Sequence, residues 1–348
     1  MTTPIENRAI GCLFGQAIGD ALGGRYEFLP ADEAAKLVTK DTPFLGHLKM
    51  LGGGHLDLVP GQITDDTELA LAMARSMSRK KTFDLEDIGQ CYLTWFNNKP
   101  IGVGRTTRLA FHEAKSATHM LRSAAKRCQP SLSNGCLMRI SPLAIASVNW
   151  DDGATVEAAK ANCMLTNPNP IAQDAVAAYV SLVRALIQTG NLEQSFGAAM
   201  KVIQTPVVRG LFEEGRTKPA PVKLADGSAE VQPDDPTMGY LGVALQMTVY
   251  ELHHLKSFEK NLINVMRRGG DTDTNGCIVG AALGALLGFK AIPETWRNTV
   301  IAAKSETRLE RHPACATHDL PELALDLLNN CKPPNVNELK EQIAKALS

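Results

Sequence analysis

Apolar side chains recur every three or four residues along most of the chain, which is the spacing of one buried helix face. Leu69, Met73 and Met77 form one such stripe, and residues 171–186 carry a longer one. Similar apolar patterns predict helices over residues 84–97, 106–123, 239–255, 322–329 and 337–347. No segment shows the strict alternation of a half-buried strand. The pattern predicts an all-α fold, and because no linker divides the chain, we expect one domain over residues 1–348.

Two apolar segments carry a glycine at every fourth position. These glycines stand at 11, 15, 19 and 23 in the first segment, and at 276, 280, 284 and 288 in the second. A glycine costs a helix about 1 kcal/mol relative to alanine, so four on one face need a reason. Close antiparallel packing of the two helices would supply it, and would bring Asp20 and Glu27 near Asp271 and Asp273. The alternative is a pair of unrelated core helices with small residues.

Oxygen-bearing side chains cluster where two of these helices are expected to begin. One cluster is Thr64, Asp65 and Asp66, and the other lies in the glycine-rich turn RGGDTDTN at 268–275. Carboxylate and hydroxyl oxygens suit a hard divalent cation. The alternative is ordinary helix capping, with Glu68 completing a capping box after Asp65. One cap needs only one oxygen, so three consecutive oxygen-bearing residues favour the metal site.

Two other features stand out from the helical pattern. Residues 210–238 are rich in proline, glycine and charge, which predicts a long loop that acts as a lid, binds a ligand or is disordered. Arg139 interrupts an apolar run. Its guanidinium is expected either to be buried against an anion or a carboxylate, or to reach solvent past its apolar stem.

Composition narrows the class of protein. With 36 basic and 37 acidic residues, the formal charge is −1, so electrostatics give no case for nucleic acid or an acidic membrane surface. The eight cysteines include no C-x-x-C pair, which is typical of reduced core cysteine in a cytosolic protein. We see neither a signal-peptide pattern nor an apolar run of about 18 residues. We therefore expect a cytoplasmic monomer without a membrane span.

The order of the motifs resembles that of the ADP-ribosylglycohydrolase family. The matching segments run in family order along nearly the whole chain: GQAIGDALGGRYE (15–27), TDDT (64–67), a W…P…G…T segment (95–106), NGCLMR with PL (134–143), TNPNP (166–170), GY (239–240) and GGDTDTN (269–275). The TDDT and GGDTDT pair in this order is highly specific.

The resemblance implies a single orthogonal all-α domain with a central cleft that holds two divalent cations, Mg²⁺ or Mn²⁺. The metal ligands it implies are Thr64, Asp65, Asp66, Asp271, Asp273 and Thr274. Asp273 is expected to bridge the ions, and Glu27 matches a family glutamate that reaches the same site. Asp65, Asp66 or Glu27 would accept the proton of the attacking water, and the sequence does not choose between them.

The resemblance also implies the substrate, an ADP-ribosylated protein or an ADP-ribose-containing small molecule, cleaved at C1 of the distal ribose. Asn134, Gly135 and Arg139 match the family segment that lines the ADP-ribose cleft. Tyr240 lies in the GY segment and is expected either to border the adenosine side or to be a core tyrosine.

The chain departs from the common family pattern at two positions of the substrate site. Many members have histidine at Asn167, and arginine-directed bacterial members often have aspartate at Gly102, thought to face the leaving guanidinium. The bacterial style of the TDDT and NGCLMR motifs still favours ADP-ribosyl-arginine. The alternatives are a serine linkage, O-acetyl-ADP-ribose, or a non-catalytic ADP-ribose-binding or crystallin-like role.

Overall fold

A computed structural model describes residues 2–43, 47–303 and 313–348 of the chain. Those residues form seventeen α-helices: α1 (Pro4–Gly23), α2 (Ala31–Asp41), α3 (Asp65–Lys80), α4 (Leu85–Asn97), α5 (Arg105–Phe111), α6 (Ala117–Arg127), α7 (Ser141–Ala146), α8 (Asp152–Met164), α9 (Pro170–Thr189), α10 (Leu192–Val202), α11 (Pro206–Gly215), α12 (Leu241–His253), α13 (Phe258–Met266), α14 (Thr272–Leu287), α15 (Glu294–Ala302), α16 (Leu320–Asn330) and α17 (Val336–Leu347). Two short antiparallel strands, β1 (Val222–Lys223) and β2 (Glu230–Val231), pair Val222 with Val231. The all-α prediction is confirmed.

The glycine stripes of α1 and α14 pack directly on each other, as predicted. A Cβ atom added to Gly15 would lie 2.0 Å from the carbonyl oxygen of Gly280, and one added to Gly19 would lie 1.9 Å from that of Gly276. The pairing runs antiparallel, so Gly23 at the end of α1 lies against Thr272 at the start of α14. This contact explains the glycines, because any side chain on either stripe would separate the two backbones.

The α1–α14 pair forms the centre of the core. Residues 9–23 of α1 and residues 272–285 of α14 are buried without interruption. From the neighbouring α9, the Tyr179 hydroxyl donates a 2.8 Å hydrogen bond to the carbonyl oxygen of Ile278. The acid-bearing start of α14 therefore belongs to this buried helix pair.

Helix α9 corrects one expectation about apolar runs. This helix, Pro170–Thr189, is long and apolar enough to cross a membrane by length and composition alone. Polar residues within it, such as Asp174 and Arg184, interrupt the apolar run and hid this property in the sequence. Its apolar window is 78% buried inside the protein, as in a core helix.

Two predicted boundaries are wrong. The helix expected over 106–123 is two helices, α5 and α6, separated by a turn in which Glu113 has a φ of 62°. The loop expected over 210–238 begins later, because α11 continues to Gly215 and the β1–β2 hairpin orders the middle of the segment. Helix α11 buries Val208, Leu211 and Phe212, an apolar face that its charged neighbours obscured.

Candidate metal centre and substrate cleft

The starts of α3 and α14 meet the loop after α1 in one open cleft of about 290 Å³, close to the lower end of the range for small-molecule sites. Its lining residues are Glu27, Phe28, Asp65, Asp66, Gly102, Gly104, Arg105, Thr106, Thr107, Ser133, Asn134, Gly135, Met138, Met238, Gly239, Asp271, Asp273 and Thr274. Carboxylates from three distant segments of the chain thus share one cleft.

Neither acid cluster caps its own helix. Thr64 and Asp271 occupy the N-cap positions of α3 and α14, and neither side chain makes a capping hydrogen bond. The cap of α3 comes from α1, where the Asp20 carboxylate accepts hydrogen bonds from the backbone N–H groups of Thr64 and Thr67, each at 3.0 Å. The capping explanation is therefore wrong for both clusters, and the carboxylates of Asp65 and Asp66 take no part in capping α3.

The proposed capping box on α3 is also absent. Glu68 accepts a 2.7 Å hydrogen bond from the indole N–H of Trp95 rather than from the helix start. The Thr64 hydroxyl lies 2.9 Å from Asp20 Oδ1 and 3.0 Å from Asp66 Oδ2. The Thr64 hydroxyl therefore links the Asp20 carboxylate, which caps α3, to the Asp66 carboxylate, which lines the cleft.

Three carboxylates converge at the other side of the α3 start. Glu27, Asp271 and Asp273 place one oxygen each within 4.8 Å of one another. Asp271 is oriented by Asn134, whose side-chain amide donates a 2.7 Å hydrogen bond to Asp271 Oδ2. Asp273 Oδ1 accepts a 2.8 Å hydrogen bond from the backbone N–H of Thr274. The helix start thus fixes these oxygens in position.

Three aspartates of this cleft, Asp65, Asp66 and Asp273, have no ion-pair partner within the part of the chain that the structure describes. Burial and the neighbouring carboxylates raise the pKa of Asp65, Asp66 and Asp273 well above the usual range. Burial, followed by repulsion from Asp271, raises the pKa of Glu27 to about 8. Among the described residues, no lysine or arginine forms an ion pair with any of these aspartates.

The residues present fit a hard divalent cation. Within the described residues, Asp66 Oδ1 and Glu27 Oε2 are buried without a hydrogen-bond partner, and the Nδ1 atom of His55 lies 3.1 Å from Glu27 Oε2. Buried carboxylates need a counter-charge, and an all-oxygen donor set suits Mg²⁺ or Mn²⁺. The structure brings together all six side chains predicted as ligands: Thr64, Asp65, Asp66, Asp271, Asp273 and Thr274.

Three of the predicted substrate residues lie in the cleft. Asn134 and Gly135 line it as part of a short 3₁₀ helix, and Gly102 lines it from the turn before α5. Gly102 has a φ of 80°, and a Cβ atom added there would lie 2.9 Å from Asp65 Oδ1. A carboxylate of α3 is thus adjacent to Gly102, one of the two positions at which the sequence departs from the expected pattern.

Arg139 does not reach the cleft, and both expectations for it are wrong. It is fully buried, and its guanidinium donates to neutral acceptors: Asn162 Oδ1, the carbonyl oxygens of Gly135 and Asn162, and Thr166 Oγ1. Its charge also lies 5.4 Å from the ring centre of Tyr92. Arg139 therefore supports the Asn134–Gly135 segment from behind.

Asn167 and Tyr240 also lie outside the cleft lining. The Asn167 side-chain amide donates 3.2 and 3.1 Å hydrogen bonds to the carbonyl and hydroxyl oxygens of Ser133, so it supports the same segment. Tyr240 is 7% exposed, and its hydroxyl has no hydrogen-bond partner among the described residues. This placement agrees with the core-tyrosine alternative.

Sequence reasoning missed two cleft residues with distinctive chemistry. Arg105 is exposed at the start of α5 and is the only lysine or arginine among the described residues that line the cleft. Phe28 follows Glu27 directly and is 55% exposed. Its position next to the matched glutamate was the available signal, but a single aromatic residue in a loop gives no indication of its direction.

Comparison with known proteins points to one family. The sequence profile described as ADP-ribosylglycohydrolase matches residues 1–335. The chain is 31% identical over 313 residues to the ADP-ribosyl-[dinitrogen reductase] glycohydrolase of Rhodospirillum rubrum, covering 89% of this chain and 95% of that protein. It is 26% identical over 302 residues to the ADP-ribosylarginine hydrolase Tri1 of Serratia proteamaculans, covering 85% and 75%. A solved structure titled ADP-ribosylglycohydrolase-related protein complex matches with a TM-score of 0.70 and 25% identity, over 95% of this chain and 100% of that one.

Proposed function

The chain belongs to the ADP-ribosylglycohydrolase family, whose named members are enzymes, and we propose that it removes ADP-ribose from ADP-ribosyl-arginine with the help of two divalent cations. The observation that carries this proposal is the convergence of non-capping carboxylates from α3 and α14 on the cleft that Glu27 also lines. A helical scaffold without a ligand would have no use for this buried charge, which costs stability.

Two observations support the arginine linkage. The relatives from Rhodospirillum rubrum and Serratia proteamaculans include one named for ADP-ribosylarginine. In the cleft, the Asp65 carboxylate lies beside Gly102, where arginine-directed relatives often have an aspartate. We infer that Asp65 supplies the negative charge that would face a leaving guanidinium. The same departure at Gly102 keeps serine-linked ADP-ribose and O-acetyl-ADP-ribose as the alternative substrates.

The proposed cations would be held by Thr64, Asp65 and Asp66 from α3, and by Asp271, Asp273 and Thr274 from α14. When bound, such ions supply electrostatic stabilisation of the ribose oxygens and of the attacking water. The protein's own carboxylates would accept the water proton. Among the residues that the structure describes, neither Glu27 Oε2 nor Asp66 Oδ1 has a hydrogen-bond partner, so each is available to do so.

Other cleft residues suit the remaining parts of the substrate. The diphosphate of ADP-ribose carries two negative charges, and the exposed guanidinium of Arg105 matches them. Asn134 keeps Asp271 in position through its amide, and Arg139 and Asn167 hold the Ser133–Gly135 segment from behind. We therefore assign Arg105 to binding, and Arg139 and Asn167 to positioning.

A panel of linkages tests the proposal. Arginine-linked, serine-linked and nucleic-acid-linked ADP-ribose and O-acetyl-ADP-ribose would be incubated with the wild type and with Asp273→Asn, with Mg²⁺ or with EDTA. We expect release of ADP-ribose from arginine by the wild type with Mg²⁺ alone. Activity that survives EDTA or the Asp273→Asn substitution would contradict the metal mechanism. Binding of ADP-ribose without turnover of any substrate would indicate a non-catalytic member.

A further inference from the structure

Phe28 is an exposed aromatic residue on the edge of the cleft. It lies in the connection between α1 and α2, directly after Glu27, and lines the cleft with 55% of its surface exposed. The other large apolar side chains exposed in the described part of the chain are aliphatic: Ile5, Leu51, Leu109, Leu255 and Leu347. A single exposed apolar side chain is ordinary on a protein surface, so the location of Phe28 in the cleft lining, and not its exposure, is what points to a binding role.

The backbone holds this ring in an uncommon conformation. Phe28 has a φ of 62°, which bulky residues rarely adopt. Its N–H donates a 2.7 Å hydrogen bond to the carbonyl oxygen of Gly270, and the Gly270 N–H donates a 2.9 Å hydrogen bond to that of Leu29. The segment carrying Phe28 is therefore tied to the turn that carries Asp271. Strained residues fixed in this way concentrate at functional sites.

The surroundings of the ring suit a planar cation. The imidazole of His55 lies 4.6 Å from the Phe28 ring, centre to centre, at an interplanar angle of 49°. Its Nδ1 atom lies 3.1 Å from Glu27 Oε2, so the aromatic pair stands beside a carboxylate. An aromatic face next to a carboxylate is a combination that binds guanidinium, through cation–π attraction and charge.

The cleft lining carries both signs of charge, with Glu27 beside Phe28 and Arg105 on a separate segment of the chain. Arg105 attracts a diphosphate and repels a guanidinium, whereas Glu27 does the reverse. A substrate with an anionic centre and a cationic end would therefore place its cationic end against the carboxylates of the cleft, which include Asp65 and, next to Phe28, Glu27.

We propose that Phe28 is a specificity residue, whose ring stacks on the guanidinium of the arginine from which ADP-ribose is released. The inference rests on the proposed arginine linkage and adds a contact that the free product, ADP-ribose, cannot make. Phe28 thus contributes to recognition of the target side chain and not of the nucleotide.

The test compares Phe28→Ala and Phe28→Leu with Phe28→Tyr and Phe28→Trp, and uses Leu255→Ala as an exposed control distant in sequence from the cleft segments. The measurements are kcat/KM for ADP-ribosyl-arginine and for a serine-linked substrate, together with the Kd of ADP-ribose by calorimetry with Mg²⁺. Thermal unfolding of each variant confirms that it is folded. If Phe28→Ala does not fold, Phe28→Leu answers the same question, because it keeps an apolar side chain and removes the π system.

We expect Phe28→Ala and Phe28→Leu to lower kcat/KM for ADP-ribosyl-arginine by roughly 3- to 30-fold, the range of a partly exposed cation–π contact. The tyrosine and tryptophan variants should stay near the wild type, and the Kd of ADP-ribose should not change. Unchanged kcat/KM in Phe28→Ala would overturn the inference alone, as would an equal loss of ADP-ribose affinity, which would place the ring against the nucleotide. A wild type that does not cleave the arginine linkage would overturn the proposed function and this inference together.

Discussion

The substitution Glu27→Gln should stabilise the metal-free protein and weaken its response to Mg²⁺. Glutamine keeps the shape of the side chain and removes one carboxylate from the group formed with Asp271 and Asp273. Without a cation, the charged form of Glu27 is disfavoured by burial and by repulsion from Asp271. With a cation, the same charge contributes to binding. Glu27→Gln should therefore raise the stability of the cation-free protein and lower the stabilisation that the cation adds.

The size of the effect follows from proton linkage. The pKa of Glu27 is raised from 4.5 to about 8, so the folded state binds more protons than the unfolded state between these values. Its contribution to stability is therefore largest below about pH 4 and is lost as the pH rises toward 8. Each pH unit in this range removes at most about 1.4 kcal/mol, so Glu27 alone should lower the free energy of unfolding by about 2 kcal/mol between pH 6 and pH 8.

Chemical denaturation in EDTA at pH 6 and pH 8 measures this loss for wild type, Glu27→Gln and the exposed control Glu33→Gln. The wild type and the control should both lose stability with rising pH, and Glu27→Gln should lose about 2 kcal/mol less. His55 faces Glu27, and because burial lowers the pKa of His55, it stays neutral over most of this range. Equal pH dependence in wild type and Glu27→Gln, or a Glu27→Gln variant less stable than the wild type at pH 8 in EDTA, would refute the reasoning.

Four further substitutions test separate parts of the structure. Gly15→Ala, with its Cβ 2.0 Å from the Gly280 carbonyl oxygen, should destabilise the fold by about 3 kcal/mol in denaturant titrations. Gly102→Ala should lower kcat strongly and the melting temperature only slightly, since its Cβ would press on Asp65 at a positive φ. An unchanged kcat would contradict this placement. Asn134→Ala should weaken Mg²⁺ binding in calorimetry by roughly 10-fold, because Asp271 loses a charged hydrogen bond of about 1.5–3 kcal/mol. Arg139→Lys should cost about 2–4 kcal/mol of stability, since a lysine cannot reproduce the hydrogen bonds that the guanidinium donates to Asn162 and Thr166 behind the cleft.

The local spacing of residues was enough to predict the helices and the central pair. A glycine at every fourth position has one main physical explanation, and the contact between Gly15 and Gly280 agrees with it. The two acid clusters were recognisable because their oxygens are adjacent in sequence. The all-α class followed from helical periodicity without any need for tertiary contacts.

What the sequence did not reveal depends on contacts between distant residues. Asp20 caps α3 from 44 residues away, and this contact excludes the capping explanation for Thr64. Arg139 turns away from the cleft because Asn162 and Thr166 offer it acceptors, a choice that no local pattern records. The direction of Phe28 depends on a positive φ fixed by Gly270, which is equally invisible in the chain.

The central claim is that the starts of α3 and α14 hold cations between them, and anomalous diffraction from crystals grown with Mn²⁺ tests it most directly. We predict two Mn²⁺ peaks in the cleft, bounded by Thr64, Asp65 and Asp66 on one side and by Asp271, Asp273 and Thr274 on the other. The distances from Mn²⁺ to the carboxylate oxygens should be roughly 2.0–2.3 Å, as for similar divalent ions. A cleft without a peak at saturating Mn²⁺, with the carboxylates contacting only water, would contradict the account.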